Sequence, residues 1–423
     1  MHPRIPFFRL AFKLPRDVQA PGSCVQFASH DSVRRHSHSR SPLLADDIFS
    51  DAGIFPLEGI PRAEDYFAVI DFQFNYPLIG TEAAFIAAAL QKHSAQPSAA
   101  QSERPFAGTA EHRKVAASFL SRENFTIPAS CVFLCAGGHA GIAIALACAS
   151  LEGAAIAVDE LTYPHFRAMA AERRIKLIAC AGDDDGILPD ALAAAARVHG
   201  VKAVYLMPTV HNPLGTVMSH PRRVALANII RQNALILIED DAYRFLEPDG
   251  PAPISFLVPE SSFYFFSFSK PLSPDLRIAY LLIPERLCKG AEELIAQVNS
   301  GTSPLFGEVL TSLILDGTVA RFIAEKQALG HARQALISSG LAGLKIRAHR
   351  NAFHSWIELP ESTDASAFCL ACEAKGVRIG SGARYGNGGP AAHRFVRLAV
   401  GNERNLDRII EGLALVKLVA SSA

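Results

Sequence analysis

The sequence predicts an α/β fold, a mostly parallel seven-stranded sheet with helices on both faces, joined to a smaller α+β domain. Three observations carry this. Seven apolar runs recur between Cys131 and Leu282. Helix-patterned stretches lie between many of them. Beyond about residue 301 the pattern changes to long helices and a few strands. Continuous Val/Ile/Leu runs that alternate with helices are the mark of strands buried on both faces.

Composition agrees with a large core. Of 423 residues, 49% are hydrophobic and 19% charged, enough for two domains. The 41 basic and 41 acidic residues cancel, so neither a nucleic acid nor a membrane surface is expected as a partner. No apolar run reaches the length of a membrane-spanning helix. The eight cysteines are scattered, mostly inside apolar runs, which predicts reduced thiols in a cytoplasmic compartment. Cys369-Leu-Ala-Cys372 sits in a helical pattern with no second pair and reads as packing; no metal site is expected.

Residues 1–45 hold seven Lys/Arg against two acids, with a low-complexity His36-Ser-His-Ser-Arg-Ser run. They read as a disordered basic extension, although an acid-poor Arg/Ser-rich start also suits a transit peptide. Residues 46–85 read as the N-terminal segment of the small domain, with Ile70 to Pro77 a short strand ending at a turn. Helices are expected over Glu82–Lys92 and Glu111–Ser121, with a polar loop from His93 to Pro105 between them.

The large domain is expected over 86–300. Its strands are Cys131–Cys135, Ala154–Val158, Ile175–Ala179, Ala203–Met207, Leu235–Ile238, Phe263–Phe266 and Ile278–Leu282. Its helices include Gly141–Ala149, His165–Arg173, Asp190–Val198 and Pro221–Gln232. A C-terminal small domain follows over 301–423, with helices Leu305–Leu315 and Val319–Ser338 and strands Ala352–Leu359 and Phe395–Val400.

In such sheets ligands bind beyond the carboxyl ends of the strands, so the polar residues there carry the chemistry. Ser267-Phe-Ser269-Lys270 ends an aromatic strand. A lysine there either snorkels to solvent or is kept for its amine, as in Schiff-base chemistry. Gly137-Gly138-His139 opens a helix and suits a phosphate, or is a plain turn. His211-Asn212-Pro213 is a turn that can also aim an amide into a site. Glu239-Asp240-Asp241 needs partners or solvent; one carboxylate can serve a protonated ring nitrogen, or the run is a metal-binding acidic cluster or an exposed turn. Tyr243 can bond the oxygen of that ring. Tyr163 can stack on it, or is structural. Together with Arg277, these groups match pyridoxal 5'-phosphate piece by piece.

These residues also carry a family likeness. The chain resembles fold-type I pyridoxal-phosphate enzymes of the class I/II aminotransferase family, in the branch related to the aminotransferase-like domains of bacterial regulators. His211-Asn212-Pro213-Leu214-Gly215 is similar to the family's N-P-x-G. Asp240-Asp241-Ala242-Tyr243 is similar to its D-x-x-Y, and Ser267-Phe-Ser269-Lys270 with Arg277 to its S-x-S-K…R. Phe395-Val-Arg397-Leu398 is similar to its carboxylate-binding arginine segment. The resemblance spans about residues 70–415.

The resemblance implies that Lys270 binds the cofactor covalently and then shuttles a proton. Asp240 would pair with the ring nitrogen, and Tyr243 and Asn212 would hold the ring oxygen. Tyr163 would stack on the ring. Gly137, Gly138, Ser267, Ser269 and Arg277 would hold the phosphate, with His139 beside them. Asn212 and Arg397 would face the substrate. It further implies an amino acid and a 2-oxo acid as substrates and a homodimer. A lyase, decarboxylase or cyclising synthase on the same cofactor, or a non-catalytic regulatory relative, are the other readings. Five features depart from the family, and one is His139, which stands where a smaller or amide side chain is common. Asn75-Tyr76-Pro77 replaces a glycine turn, and Phe106 and Gly108 stand where a partner-reaching tyrosine is usual. His112 and Leu214 replace a leucine and a threonine.

Overall fold

The computed structural model describes residues 69–94, 105–361, 363–387 and 390–422. The extension expected over 1–45, residues 46–68 and most of the polar loop lie outside these. The first strand, β1, is only Ile70–Asp71, shorter than the Ile70–Pro77 expected. The Asp71 side chain ends it, because Oδ1 accepts from the backbone N–H of Gln73 at 2.7 Å and turns the chain. The residues that follow become an extended loop that reaches the site.

Helices α1 Glu82–Ser94 and α2 Ala110–Leu120 come next. Strand and helix then alternate: β2 Val132–Cys135, α3 Gly138–Cys148, β3 Ala155–Asp159, α4 Pro164–Glu172 and β4 Lys176–Cys180. They continue with α5 Pro189–His199, β5 Ala203–Leu206, α6 His220–Gln232 and β6 Ile236–Asp240, then β7 Ser262–Ser267 and β8 Ala279–Leu282. All seven apolar runs are strands, with ends moved by a residue or two. The sheet order is β2-β8-β7-β6-β5-β3-β4. β8 runs antiparallel to both of its neighbours, and the remaining pairs are parallel.

Both faces of the sheet are covered. Along β7, Phe263 and Phe265 pack with Ile142 and Ala145 of α3, whereas Tyr264 and Phe266 pack with Ala116 and Leu120 of α2. That is the two-residue alternation of a strand feeding two cores. Helix α3 starts three residues earlier than expected. Gly137, at φ +88, caps it in a conformation that a side chain would strain.

The rest of the described chain has α7 Ala291–Asn299, α8 Pro304–Leu315, α9 Thr318–Gly340, β9 Lys345–Arg347, β10 His354–Glu358 and α10 Ala365–Ala374. It ends with β11 Val377–Arg378, β12 Gly380–Ser381, β13 Phe395–Ala399 and α11 Leu406–Ser422. The second sheet has the order β9-β10-β13-β12. β1 pairs in parallel with β11. Ile70 and Phe72 therefore share a core with Phe368, Leu398 and Leu413. Gly412 permits this, since a Cβ there would lie 2.6 Å from the Phe72 ring. Cys372 belongs to the same core, and both cysteines of the C-x-x-C are free thiols. Among the described residues no helix is long and apolar enough to cross a membrane.

One buried ion pair ties these parts to the lysine turn. Lys326 on α9 lies 3.1 Å from Glu82 at the start of α1. Its Nζ also donates to the carbonyls of Lys270, at 3.1 Å, and Leu272, at 2.8 Å. Glu82 accepts in turn from the N–H groups of Ile79 and Gly80, both at 2.8 Å. These extra bonds offset the cost of burying the two charges.

Candidate active site

The sequence-predicted residues meet at the carboxyl end of the sheet. A cavity of ≈170 Å³ is lined by Gly138, His139, Tyr163, Asn212, Asp240, Tyr243, Ser267, Ser269, Lys270, Arg277 and Arg397. Gly137 lies just behind it, 3.7 Å from the Arg277 guanidinium when measured from an ideal Cβ. Gln73, Asn75, Tyr76 and His165 line it as well, with Phe74, Ile142, Met207, Ala242 and Phe265. A larger apolar groove of ≈620 Å³, at the amino ends of β2 and β7, holds none of these groups.

Lys270 points its Nζ at the backbone carbonyl of Asn75, 2.5 Å away. Burial first, and then the Arg397 charge, bring its pKa down to about 7, against the pull of Asp240. Such an amine is partly unprotonated at neutral pH and nucleophilic. Asp240 ends β6. Its Oδ2 accepts from the Tyr205 hydroxyl at 2.8 Å, and its Oδ1 from the Ala242 N–H at 3.1 Å. Burial raises its pKa to about 6, while those two bonds hold it down. A cation placed beside it would favour the anion further. Asp241 faces elsewhere and accepts from the Tyr264 hydroxyl at 3.0 Å.

Tyr243 accepts from the Asn75 side-chain amide at 3.0 Å. Asn212 accepts from Arg397 at 3.2 Å, and the other arm of that guanidinium donates to the Gln73 carbonyl. Among the described residues the Arg397 Nε has no hydrogen-bond partner, and it is shielded from solvent. Tyr163 and His139 share a bond of 2.8 Å, and the His139 ring stacks on His165 at 4.9 Å. Burial, then the neighbouring His165, push His139 down to about 4, so its ring is neutral.

At the other end, Arg277 is held at φ +49, a strained conformation for a side-chain residue. Ser267 Oγ accepts from the Ser269 N–H at 3.3 Å. The first-turn N–H groups of α3 have no intrahelical acceptors and carry the positive end of the helix dipole. Gly137, Gly138, Ser267, Ser269 and Arg277 thus converge on one helix N-terminus.

Gln73, His165 and four other contributors were not picked out from the sequence. Asn75 and Tyr76 appeared only as a departure from the family turn. Tyr205 is a buried tyrosine in an apolar run, which signals a partner for its hydroxyl. His354 is a fully buried polar residue that opens an apolar strand, a cue of the same kind. Of the replaced residues, His112 caps α2 with Thr109 and lies 3.2 Å from Glu308, so it has a local structural role.

The family model for aminotransferase class I and II matches residues 68–413. The chain belongs to the class I and II aminotransferase family. A transcriptional regulator of Bacillus subtilis, the uncharacterized HTH-type YdeF, is 25% identical over 305 residues, 72% of this chain and 66% of its own length. A 2-aminoadipate transaminase of Thermus thermophilus is 30% identical over 219 residues, 47% of this chain and 53% of its own. The chain therefore spans between about half and two thirds of these relatives. In structure it is similar to LysN, the α-aminoadipate aminotransferase of Thermus thermophilus, in complex with N-(5'-phosphopyridoxyl)-L-leucine. The TM-score is 0.71 at 20% identity, over 85% of this chain and 94% of that one. This likeness shows the fold.

Membership of the aminotransferase family implies pyridoxal 5'-phosphate, and the residues present fit it. A guanidinium, two serines and a helix N-terminus suit a phosphate dianion. The absence of Cβ atoms at Gly137 and Gly138 leaves room beside Arg277 and Ser267. A buried amine, a buried carboxylate and a phenol occupy the same cavity.

Proposed function

We propose that the protein is a pyridoxal-phosphate-dependent aminotransferase that moves an amino group from an L-amino acid to a 2-oxo acid. The observation that carries this reading is the Lys270 amine, lowered to about 7 in a cavity that also holds Asp240, Tyr243 and Arg397. Bound cofactor supplies an electron sink for the pair left when the amino acid's Cα loses a proton.

The residues of the chain divide the rest. Lys270 would hold the cofactor covalently and, once displaced, its Nζ would take the Cα proton as a general base. Asp240 would face the ring nitrogen, where a carboxylate favours the protonated form. Tyr243 and Asn212 would face the ring oxygen, and Tyr163 the ring face. Gly137, Gly138, His139, Ser267, Ser269 and Arg277 would hold the phosphate end. Arg397 would grip the substrate α-carboxylate and orient Cα over Lys270.

The same reading divides the chain into a large domain over 86–300 and a small domain formed by 46–85 with 301–423. It includes a cytoplasmic homodimer, consistent with seven free thiols among the described cysteines. Light scattering tests the dimer, and an active monomer would refute it. The activity is tested by mass spectrometry. Candidate amino acids are incubated with 2-oxoglutarate or pyruvate, and the product sought is the donor's keto acid. A protein that binds the cofactor and yields no keto acid from any donor would favour the regulatory reading, which the regulator relative supports. A decarboxylated or eliminated product would instead favour a lyase or synthase.

A further inference from the structure

Behind the Tyr243 hydroxyl lies a chain of hydrogen bonds whose direction can be worked out proton by proton. It starts at the backbone carbonyl of His211, which can only accept. The His354 Nε2 lies 3.1 Å from it and so carries a hydrogen. His354 is fully buried, and burial together with the Arg397 charge pushes its pKa to about 3, so the ring is neutral and has a single N–H. Its Nδ1 is then a bare acceptor. Asn75 Nδ2 lies 3.2 Å from that nitrogen and supplies one amide hydrogen. The second amide hydrogen goes to the Tyr243 oxygen at 3.0 Å.

Tyr243 therefore receives a hydrogen from behind, and its own must point elsewhere. Among the described residues no acceptor takes it, and the tyrosine lines the cavity. Turning the Asn75 amide over would reverse this. Oδ1 would face the bare His354 nitrogen, two lone pairs would oppose each other, and Tyr243 would spend its hydrogen on Asn75. In the observed orientation Asn75 Oδ1 is buried with no hydrogen-bond partner among the described residues, so the His354 contact alone sets which way the amide faces.

We infer that Asn75 and His354 are positioning residues that keep the Tyr243 hydroxyl a donor into the cavity, toward the ring oxygen of the bound cofactor. This rests on reading the cavity as a pyridoxal 5'-phosphate site. The two side chains act through Tyr243; the Asn75 backbone carbonyl, which accepts from Lys270 Nζ at 2.5 Å, is retained in every variant. The Asn75-Tyr76-Pro77 turn, which departs from the family's glycine, thereby gains a task in the site.

A double-mutant cycle on the full chain tests this, with pyridoxamine 5'-phosphate as a non-covalent probe read by equilibrium fluorescence. Asn75→Leu removes the donor. Asn75→Asp keeps the size and reverses the bond, so that Tyr243 donates backward. Each is expected to weaken the probe about tenfold, and less than about twofold when Tyr243→Phe is already present. His354→Leu should follow the same pattern. His354→Asn, which can present an oxygen near the place of Nδ1, should recover binding to within about threefold of wild type. Equal losses with and without Tyr243→Phe would overturn the positioning role while leaving the cofactor reading intact. A wild-type protein that fails to bind the probe would overturn both. If the Asn75 variants do not fold, the His354→Leu and His354→Asn pair decides alone.

Discussion

The Lys270 Nζ lies 3.7 Å from the centroid of the Tyr76 ring, with the Asn75 carbonyl on it as well. One turn of chain thus supplies both a π face and an acceptor, and both favour the ammonium. Burial and Arg397 favour the free amine, Asp240 favours the ammonium, and together they bring the pKa down to about 7. The rate of pyridoxal 5'-phosphate uptake by the apoprotein should therefore rise through pH of about 7, as the free amine forms. Arg397→Met removes a like charge and should move that midpoint to higher pH. Tyr76→Leu should move it lower, and Tyr76→Phe should leave it in place. Stopped-flow absorbance measures all four proteins. A midpoint indifferent to both sites would sink this account of the lysine.

Asp240 and Asp241 are adjacent but not equivalent. Asp240 lines the cavity with its oxygens on Tyr205 and Ala242, whereas Asp241 is bonded to Tyr264 away from it. Asp240→Ala is expected to reduce turnover by several kcal/mol of barrier, and, because it strands the buried Tyr205 hydroxyl, to destabilise by roughly 1–3 kcal/mol as well. Asp241→Ala should chiefly destabilise, by roughly 1–3 kcal/mol, because it strands the buried Tyr264 hydroxyl. Steady-state kinetics and thermal melts on both variants check the ranking, and the reverse order would reject the assignment.

The sheet was legible because each of its strands is a short apolar run, and burial on both faces leaves that mark in any sequence. The residues at strand ends were legible for the same reason, since Asp240 and Lys270 interrupt runs that would otherwise stay apolar. Asn75 and His354 were not. They meet across 279 residues, and no local pattern encodes a bond of that span. The Lys326–Glu82 clamp was missed likewise, because each residue looks like the polar side of a helix until the partner is placed. The β1 strand was overdrawn because Phe72 and Phe74 continue the alternation, while the Asp71 turn that ends it is a side-chain effect.

His354 also sets a pH dependence for folding. Its pKa is about 3 in the folded protein, against an ordinary 6.5. Between those values the unfolded chain binds a proton that the folded protein refuses, so stability falls as pH drops from about 6.5 toward 3. The gap corresponds to at most on the order of 5 kcal/mol. Urea unfolding from pH 7 to pH 4 should show a loss in the wild type that is shallower, by up to one proton, in His354→Asn. Parallel slopes would exclude His354 as a source.

Arg397 offers the sharpest test of substrate class. It is buried on β13, and among the described residues no carboxylate lies within ion-pair distance of it. A structural ion pair therefore does not explain its burial. Its guanidinium rests on neutral groups, the Asn212 side chain and the Gln73 carbonyl, with Nε unpaired and the Tyr385 ring 5.4 Å away. A buried cation with an unused donor is suited to an anion that arrives with the substrate, and a planar fork grips a carboxylate through two parallel bonds. Arg397→Lys keeps the charge and loses the fork, so it should raise KM and lower kcat/KM for amino acids by roughly 1–3 kcal/mol. Pyridoxal 5'-phosphate should still load, and amines without a carboxylate should react equally with both proteins. Unchanged amino-acid kinetics in Arg397→Lys, or simple amines as the best substrates of the wild type, would remove the carboxylate clamp, and an amino acid would no longer be the expected donor.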